Sequence, residues 1–121
     1  MAWSNYRELI VWQKSMTLVK DVYMLIASFP AYEQYALSSQ LRRSVVSIPS
    51  NIAEGEGRQT KKEFINFLHI ANGSLYELET QISIAESLDY ISKQQSEEIF
   101  SKCAEIGKMI SKLIDSLNTK N

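Results

Sequence analysis

The sequence predicts an all-α fold: one antiparallel up-down-up-down four-helix bundle over residues 1–121, with its second helix kinked near Pro49. Three observations carry this reading. Apolar residues recur at three- and four-residue steps in four long stretches, roughly 7–28, 38–55, 61–89 and 93–117. Helix-stopping and helix-capping residues fall between the stretches and leave only short connections. No segment alternates at period two over a useful length, so no sheet is expected. Four helices, each apolar on one face and joined by short links, bury those faces best by packing together.

In the first stretch Leu9, Trp12, Met16, Val19, Tyr23 and Ile26 form the expected main stripe, and Val11, Leu18, Val22 and Leu25 broaden it. That coverage is wider than one bundle seam requires and points to a second partner surface or a deeply packed helix. Asn5 with Glu8 has capping-box spacing. Phe29-Pro30 ends the helix, because a residue before proline leaves the helical region. The connection from Pro30 to Leu37 carries Tyr32, Glu33 and Tyr35, large side chains suited to folding over one end of the bundle. Ser38 or Ser39 is the expected cap of the second helix.

The second stretch is the least ordinary. Leu41, Val45, Ile48 and Ile52 make one apolar face, widened by Val46 and Ala53. Pro49 lacks an N–H and crowds the carbonyl four residues back. Either one helix runs through a kink, or Ser47 caps a second short helix. The kinked helix is favoured, because the apolar phase survives from Val45 to Ile52. Ser47 and Ser50 can bond to carbonyls that the proline frees. Gly55, Gly57 and Gln59 mark the next break, the glycines being free to take a positive φ. Gly-Glu-Gly-Arg is not a phosphate loop: it lacks the glycine spacing, the Lys-Ser/Thr pair and the preceding strand.

Thr60 with Glu63 is a capping box for the third helix, whose stripe runs Phe64, Phe67, Leu68, Ala71, Leu75, Leu78, Ile82, Ala85 and Leu88. Ile65, Ile70, Tyr76 and Ile84 lie off that seam and need cover of their own. Gly73 costs about 1 kcal/mol in mid-helix, so a close helix crossing is expected there. Ser92 with Gln95 opens the fourth helix, with Ile99, Cys103, Ile106, Ile110, Leu113 and Leu117 as its stripe. Residues from Asn118 to Asn121 are expected to fray.

The bulk properties narrow the function. The net charge of −1 argues against strong non-specific binding to nucleic acid or an anionic membrane. The single cysteine, Cys103, allows no internal disulfide and no multi-cysteine zinc site, and reads as a buried small hydrophobe. No leader or membrane span is apparent, so a cytoplasmic location is expected. His69 is the lone histidine and has no nucleophile in phase with it. No Glu-x-x-His motif is present, which removes the usual di-iron bundle signature. Glu77 with Glu79, and Glu97 with Glu98, point in different directions and read as solvated surface. No catalytic residue, metal or cofactor is expected. The basic groups Arg42, Arg43, Arg58, Lys61 and Lys62 flank the second helix and the following turn. In a monomer they need not form one patch, but a ring of subunits could gather them on a rim or in a channel. Arg43 and Glu54 are three helical turns apart and can share a face, with Asn51 one position off it. At a subunit boundary they could pair across it.

The run from Gln40 to Gly55, QLRRSVVSIPSNIAEG, resembles the signature of the bacterial 23S rRNA intervening-sequence protein family. The likeness extends to Leu9, Val11, Trp12, Gln13 and Lys14, to Phe29-Pro30 with Glu33, to Gly57-Arg58, to Glu63-Phe64 with Phe67-Leu68, and to the run from Gly73 to Thr80. More distantly the chain is similar to the accessory variability determinant of diversity-generating retroelements, a bundle that works with a reverse transcriptase and RNA. The resemblance implies an antiparallel four-helix bundle assembled as a homopentamer, with Pro49, Asn51, Glu54, Gly55 and Gly73 as its structural signature and no established activity. The expectation is a non-enzymatic, ring-forming interaction or scaffold protein. The alternative is an RNA-binding accessory protein using Arg42, Arg43, Arg58, Lys61 and Lys62.

Overall fold

The computed structural model describes residues 5–119, and within them the chain forms four α-helices and no strand. They are α1 (Ile10–Ile26), α2 (Leu37–Glu56), α3 (Lys61–Ser87) and α4 (Lys93–Thr119). Each helix packs against the two beside it in the cycle α1–α2–α3–α4, and the diagonal pairs do not approach. Cross-helix contacts fix the directions. Ser44 reaches Gln81, Ser47 reaches Ser74 and Gly55 lies against Phe67, so α2 and α3 run antiparallel. Lys14 with Glu105 and Asp21 with Lys102 do the same for α1 and α4. This is the up-down-up-down bundle the periodicity predicts.

The core holds Leu18, Val22, Leu41, Val45, Ile48, Ile52, Leu68, Leu78, Ile82, Ile106 and Ile110 with essentially no exposure. The stripes of α2, α3 and α4 sit where the spacing puts them, apart from Leu88, Val46, Ala53 and Phe67, the last half-buried with Arg58 over its ring. Leu88 is 48% exposed. Val46 is exposed and Ala53 half-buried, because both lie on the α1 side of α2 and not on its inner face. The α1 stripe is phased differently from the expectation. Val11, Ser15, Leu18, Val22 and Ile26 face the core, while Met16 and Tyr23 stay exposed and Trp12 and Val19 half-buried. Ser15 is what concealed the true row. Its hydroxyl donates to the Val11 carbonyl at 2.7 Å, so a polar residue sits at an inner position without an unmade bond.

The connections depart from expectation in instructive ways. Asn5 accepts from the Arg7 N–H, but it caps a short 3-10 turn at Tyr6–Glu8 that precedes α1. Neither Ser38 nor Ser39 caps α2. The Glu33 carboxylate does so from the connecting loop, accepting the Leu37 N–H at 3.1 Å. That loop does fold over an end of the bundle: Tyr90, in the α3–α4 turn, donates to the other Glu33 oxygen at 2.7 Å and packs against Phe29. The Thr60 and Ser92 boxes cap α3 and α4 as expected, with Glu63 and Gln95 donating their N–H groups to the two hydroxyls. α4 continues through Asn118 to Thr119, where fraying was expected; positions 120 and 121 lie outside the described residues.

α2 passes through Pro49 as a single helix, so the two-helix alternative is excluded. Ser47 does not turn back to a local carbonyl. Its hydroxyl lies 2.8 Å from that of Ser74 on α3, and Asn51 donates to both the hydroxyl and the carbonyl of Ser47. Neither helix-ending glycine takes a positive φ. Gly55 is still helical, and α2 closes at Gly57 with φ −78°, its N–H returning to the Ala53 carbonyl. The positive φ falls at Asp89, in the α3–α4 turn.

The close crossing expected at one signature glycine is found at the other. Gly73 was expected at a close crossing, yet it is exposed and a Cβ there would meet nothing within 4 Å. The close crossing is at Gly55. A Cβ on Gly55 would lie 2.6 Å from the Phe67 Cβ, closer than real atoms pack, and a tight 3.2 Å from the Phe64 carbonyl oxygen.

Candidate interaction surface

Two exposed apolar faces remain once the core is filled. The first spans α1 and α2. Trp12, Met16 and Val19 line one side, Val46, Pro49 and Ala53 the other, and Tyr6 closes an end by stacking edge-on against Trp12. Between them lies an open groove of about 320 Å³. It exists because α1 is apolar on two adjacent rows: one row enters the core and the other turns toward α2. Pro49 is buried in the wall of this groove. Of its α1 row and the next turn, Met16 and Tyr23 are each 44% exposed.

The second face is the outer row of α3. Ile70 and Ile84 are 51% and 42% exposed; Ile70 lies one turn before Gly73 and Ile84 two turns beyond Glu77, with the open surface between them. A shallow groove at Gly73 separates this row from Gln40 of α2. Tyr76 stands beside it at 65% exposure, toward α4. Both faces were signalled in the sequence as apolar residues beyond the seam. The groove itself was not, because Val46 and Ala53 read as part of the α2 inner face.

The basic residues are not gathered. Arg42 donates to the Gln34 carbonyl at 2.9 Å and is thereby folded onto the α1–α2 loop. Arg43 is exposed without a hydrogen bond or ion pair, near the start of α2. Arg58 lies fifteen residues on, about 20 Å along the helix direction, in an ion pair with Glu54 at 2.8 Å and over the Phe67 ring at 4.9 Å. Glu54 is thus engaged within its own chain. Lys61 and Lys62 are exposed at the start of α3, beside the end of α4. Arg58, Lys61 and Lys62 therefore share one end of the bundle, and Arg42 with Arg43 lie toward the other.

The remaining chemistry is sparse. His69 is exposed on α3. Among the described residues no group of three or more His, Cys, Asp and Glu side chains comes together to hold a metal ion. Also among them, no helix is long and apolar enough to cross a membrane. Cys103 is 2% exposed, and burial, aided by the nearby Glu79 charge, pushes its thiol up to about 12. The neutral thiol is a poor nucleophile. Ellman's reagent at pH 7.5 should leave the folded protein unlabelled and titrate one thiol in denaturant; rapid labelling of the native protein would contradict this packing.

Comparison with known proteins agrees with the architecture. The family model described as 23S rRNA-intervening sequence protein matches residues 7–112. A crystal structure from Bacteroides thetaiotaomicron, described as a protein with unknown function from the S23 ribosomal protein family, is similar at 30% identity and a TM-score of 0.77. The match covers 86% of this chain and 97% of that one. The comparison with curated protein sequences returned no match. With the signature of α2, the bundle and the family model in agreement over almost the whole chain, this protein belongs to the 23S rRNA-intervening sequence protein family.

Proposed function

We propose that this protein is a non-enzymatic scaffold whose copies assemble into a closed ring. The observation that carries the reading is the pair of exposed apolar faces, Met16 with Val46 on α1 and α2, and Ile70 with Ile84 on α3. A monomer of 13.8 kDa gains nothing from leaving such rows in water, and self-association covers them. The resemblance sets the expected size at five copies. Light scattering coupled to size exclusion should return a mass near five times that of the chain, at both low and moderate salt. Persistence at moderate salt is expected because apolar contact is not screened. A clean monomer at both salts rejects the scaffold.

A second reading, RNA contact through phosphates, draws on Arg58, Lys61 and Lys62 standing at one end of the bundle. In a ring these would repeat around one rim. Affinity for a mixed-sequence RNA should then fall steeply with salt, with a shallower slope in a Lys61→Ala/Lys62→Ala variant. No binding at low salt ends this reading.

A further inference from the structure

We infer that the groove between α3 and α4 binds a guanine mononucleotide. The groove has a volume of about 440 Å³, room for one base with its ribose and phosphate. Every residue it uses belongs to one chain, so the site does not rest on the ring. Leu75 and Cys103 form an apolar floor, and Tyr76, 65% exposed, lines the α3 wall. On the α4 side Ala104 and Gly107 keep the wall low. Helix packing does not require that glycine. A Cβ on Gly107 would meet Leu75 Cδ1 at 3.8 Å and Asn72 Oδ1 at 3.9 Å, both ordinary contacts. Glycine weakens a helix, and what its missing side chain provides here is an open slot above Leu75. An apolar floor with one aromatic wall takes a flat ring, which covers the floor and stacks on the tyrosine.

The two ends of the slot carry opposite charge. Glu79 is half-buried at one end, near enough to Cys103 for its charge to act on that thiol. Lys108 and Lys112, both exposed, line the other end together with the half-buried Asn72. The side chains of Glu79, Asn72, Lys108 and Lys112 make no hydrogen bond or ion pair within the chain, so all four are open to a ligand. Lys108 stands five residues beyond Cys103, about 7.5 Å along α4. A molecule lying in the slot therefore meets an acceptor at one end and cations at the other. A carboxylate can only accept. Guanine offers it two adjacent donors on one edge, N1–H and the N2 amino group. Adenine and cytosine place a ring-nitrogen acceptor beside their amino group, and uracil sets its one donor between two carbonyls. With the guanine edge at Glu79, the phosphate on the far side of the ribose reaches the lysines.

Equilibrium dialysis of the full chain against 5′-GMP, AMP and guanosine at low salt tests this. Two variants accompany it, Glu79→Gln and Lys108→Ala/Lys112→Ala, with circular dichroism to establish that both are folded. The unaltered chain is expected to bind GMP about tenfold more tightly than AMP, and Glu79→Gln to lose that preference. The lysine variant is expected to bind GMP about tenfold more weakly and guanosine as before, a separation that mere loosening of the bundle would not produce. A single-stranded RNA with one guanosine among uridines identifies the source. Tighter binding than GMP assigns the slot to a nucleotide within a strand, and weaker binding assigns it to the free nucleotide. No retention of GMP at millimolar concentration, equal affinity for GMP and AMP, or variants that bind GMP as the unaltered chain does would each overturn the site. A monomeric mass in light scattering rejects the scaffold and leaves this groove as it is.

Discussion

Gly55→Ala should lower the melting temperature by about 8 °C, while Gly73→Ala should raise it by about 4 °C. The substitution is the same and both sites are helical, so the difference is set by what surrounds them. At Gly55 the new methyl would sit 2.6 Å from the Phe67 Cβ, 2.9 Å from Phe64 Cδ1 and 3.2 Å from the Phe64 carbonyl oxygen. Of these the ring atom can swing aside. The Cβ and the carbonyl cannot, because both are held by the α3 backbone. Relief requires α2 and α3 to separate, which strains the hydroxyl pair Ser47–Ser74 and the Ser44–Gln81 bond along the same seam. Overpacking of this kind costs about 3 kcal/mol, offset by about 1 kcal/mol of better helix propensity. At Gly73 nothing lies within 4 Å, so only the propensity gain of about 1 kcal/mol remains. Thermal melts followed at 222 nm decide it. A Gly55→Ala protein as stable as the original would mean that the crossing yields freely and does not constrain the α2–α3 spacing.

Glu33→Ala should cost about 2 kcal/mol, although Glu33 lies in a loop. One carboxylate oxygen caps α2 by accepting the Leu37 N–H, and the other accepts the Tyr90 hydroxyl from the far connection. One side chain therefore closes a helix start and ties together two loops at the same end of the bundle. Hydrogen bonds to Tyr32 and Glu33 hold the Tyr90 phenol above its ordinary value, so it stays protonated throughout the neutral range. Tyr90→Phe removes one of the two tasks and should cost about 1 kcal/mol. Because the two residues share a bond, the double variant should lose less than the sum of the singles by at least ~0.5 kcal/mol in urea unfolding. Strict additivity would mean that the Glu33–Tyr90 contact contributes nothing.

Much of this architecture was legible in the residues. Four periodic stretches, the Thr60 and Ser92 boxes and the absence of period-two alternation specify a four-helix protein with short links. The α2 stripe Leu41, Val45, Ile48 and Ile52 was legible too, because its other faces are polar enough to leave one phase. α1 was not so clear. It has two adjacent apolar rows, and periodicity finds the rows without choosing between them. The choice fell to the tertiary structure, through a serine that satisfies itself on its own helix.

The candidate surface divides in the same way. An excess of apolar residues on α1 and α3 is a property of the chain and could be counted from it. Where the excess lies is a property of the packing. Val46 joins a groove wall because α1 lies beside it, and Arg42 with Arg43 stand apart from Arg58, Lys61 and Lys62 because most of α2 lies between them and Arg42 and Arg58 find partners within the chain. The glycines make the distinction sharpest. Local sequence shows that Gly55 and Gly73 each weaken a helix, and it cannot show what stands opposite. Helix propensity is a short-range property of the backbone, whereas the room for one methyl group is decided by a neighbouring helix that arrives only when the bundle closes.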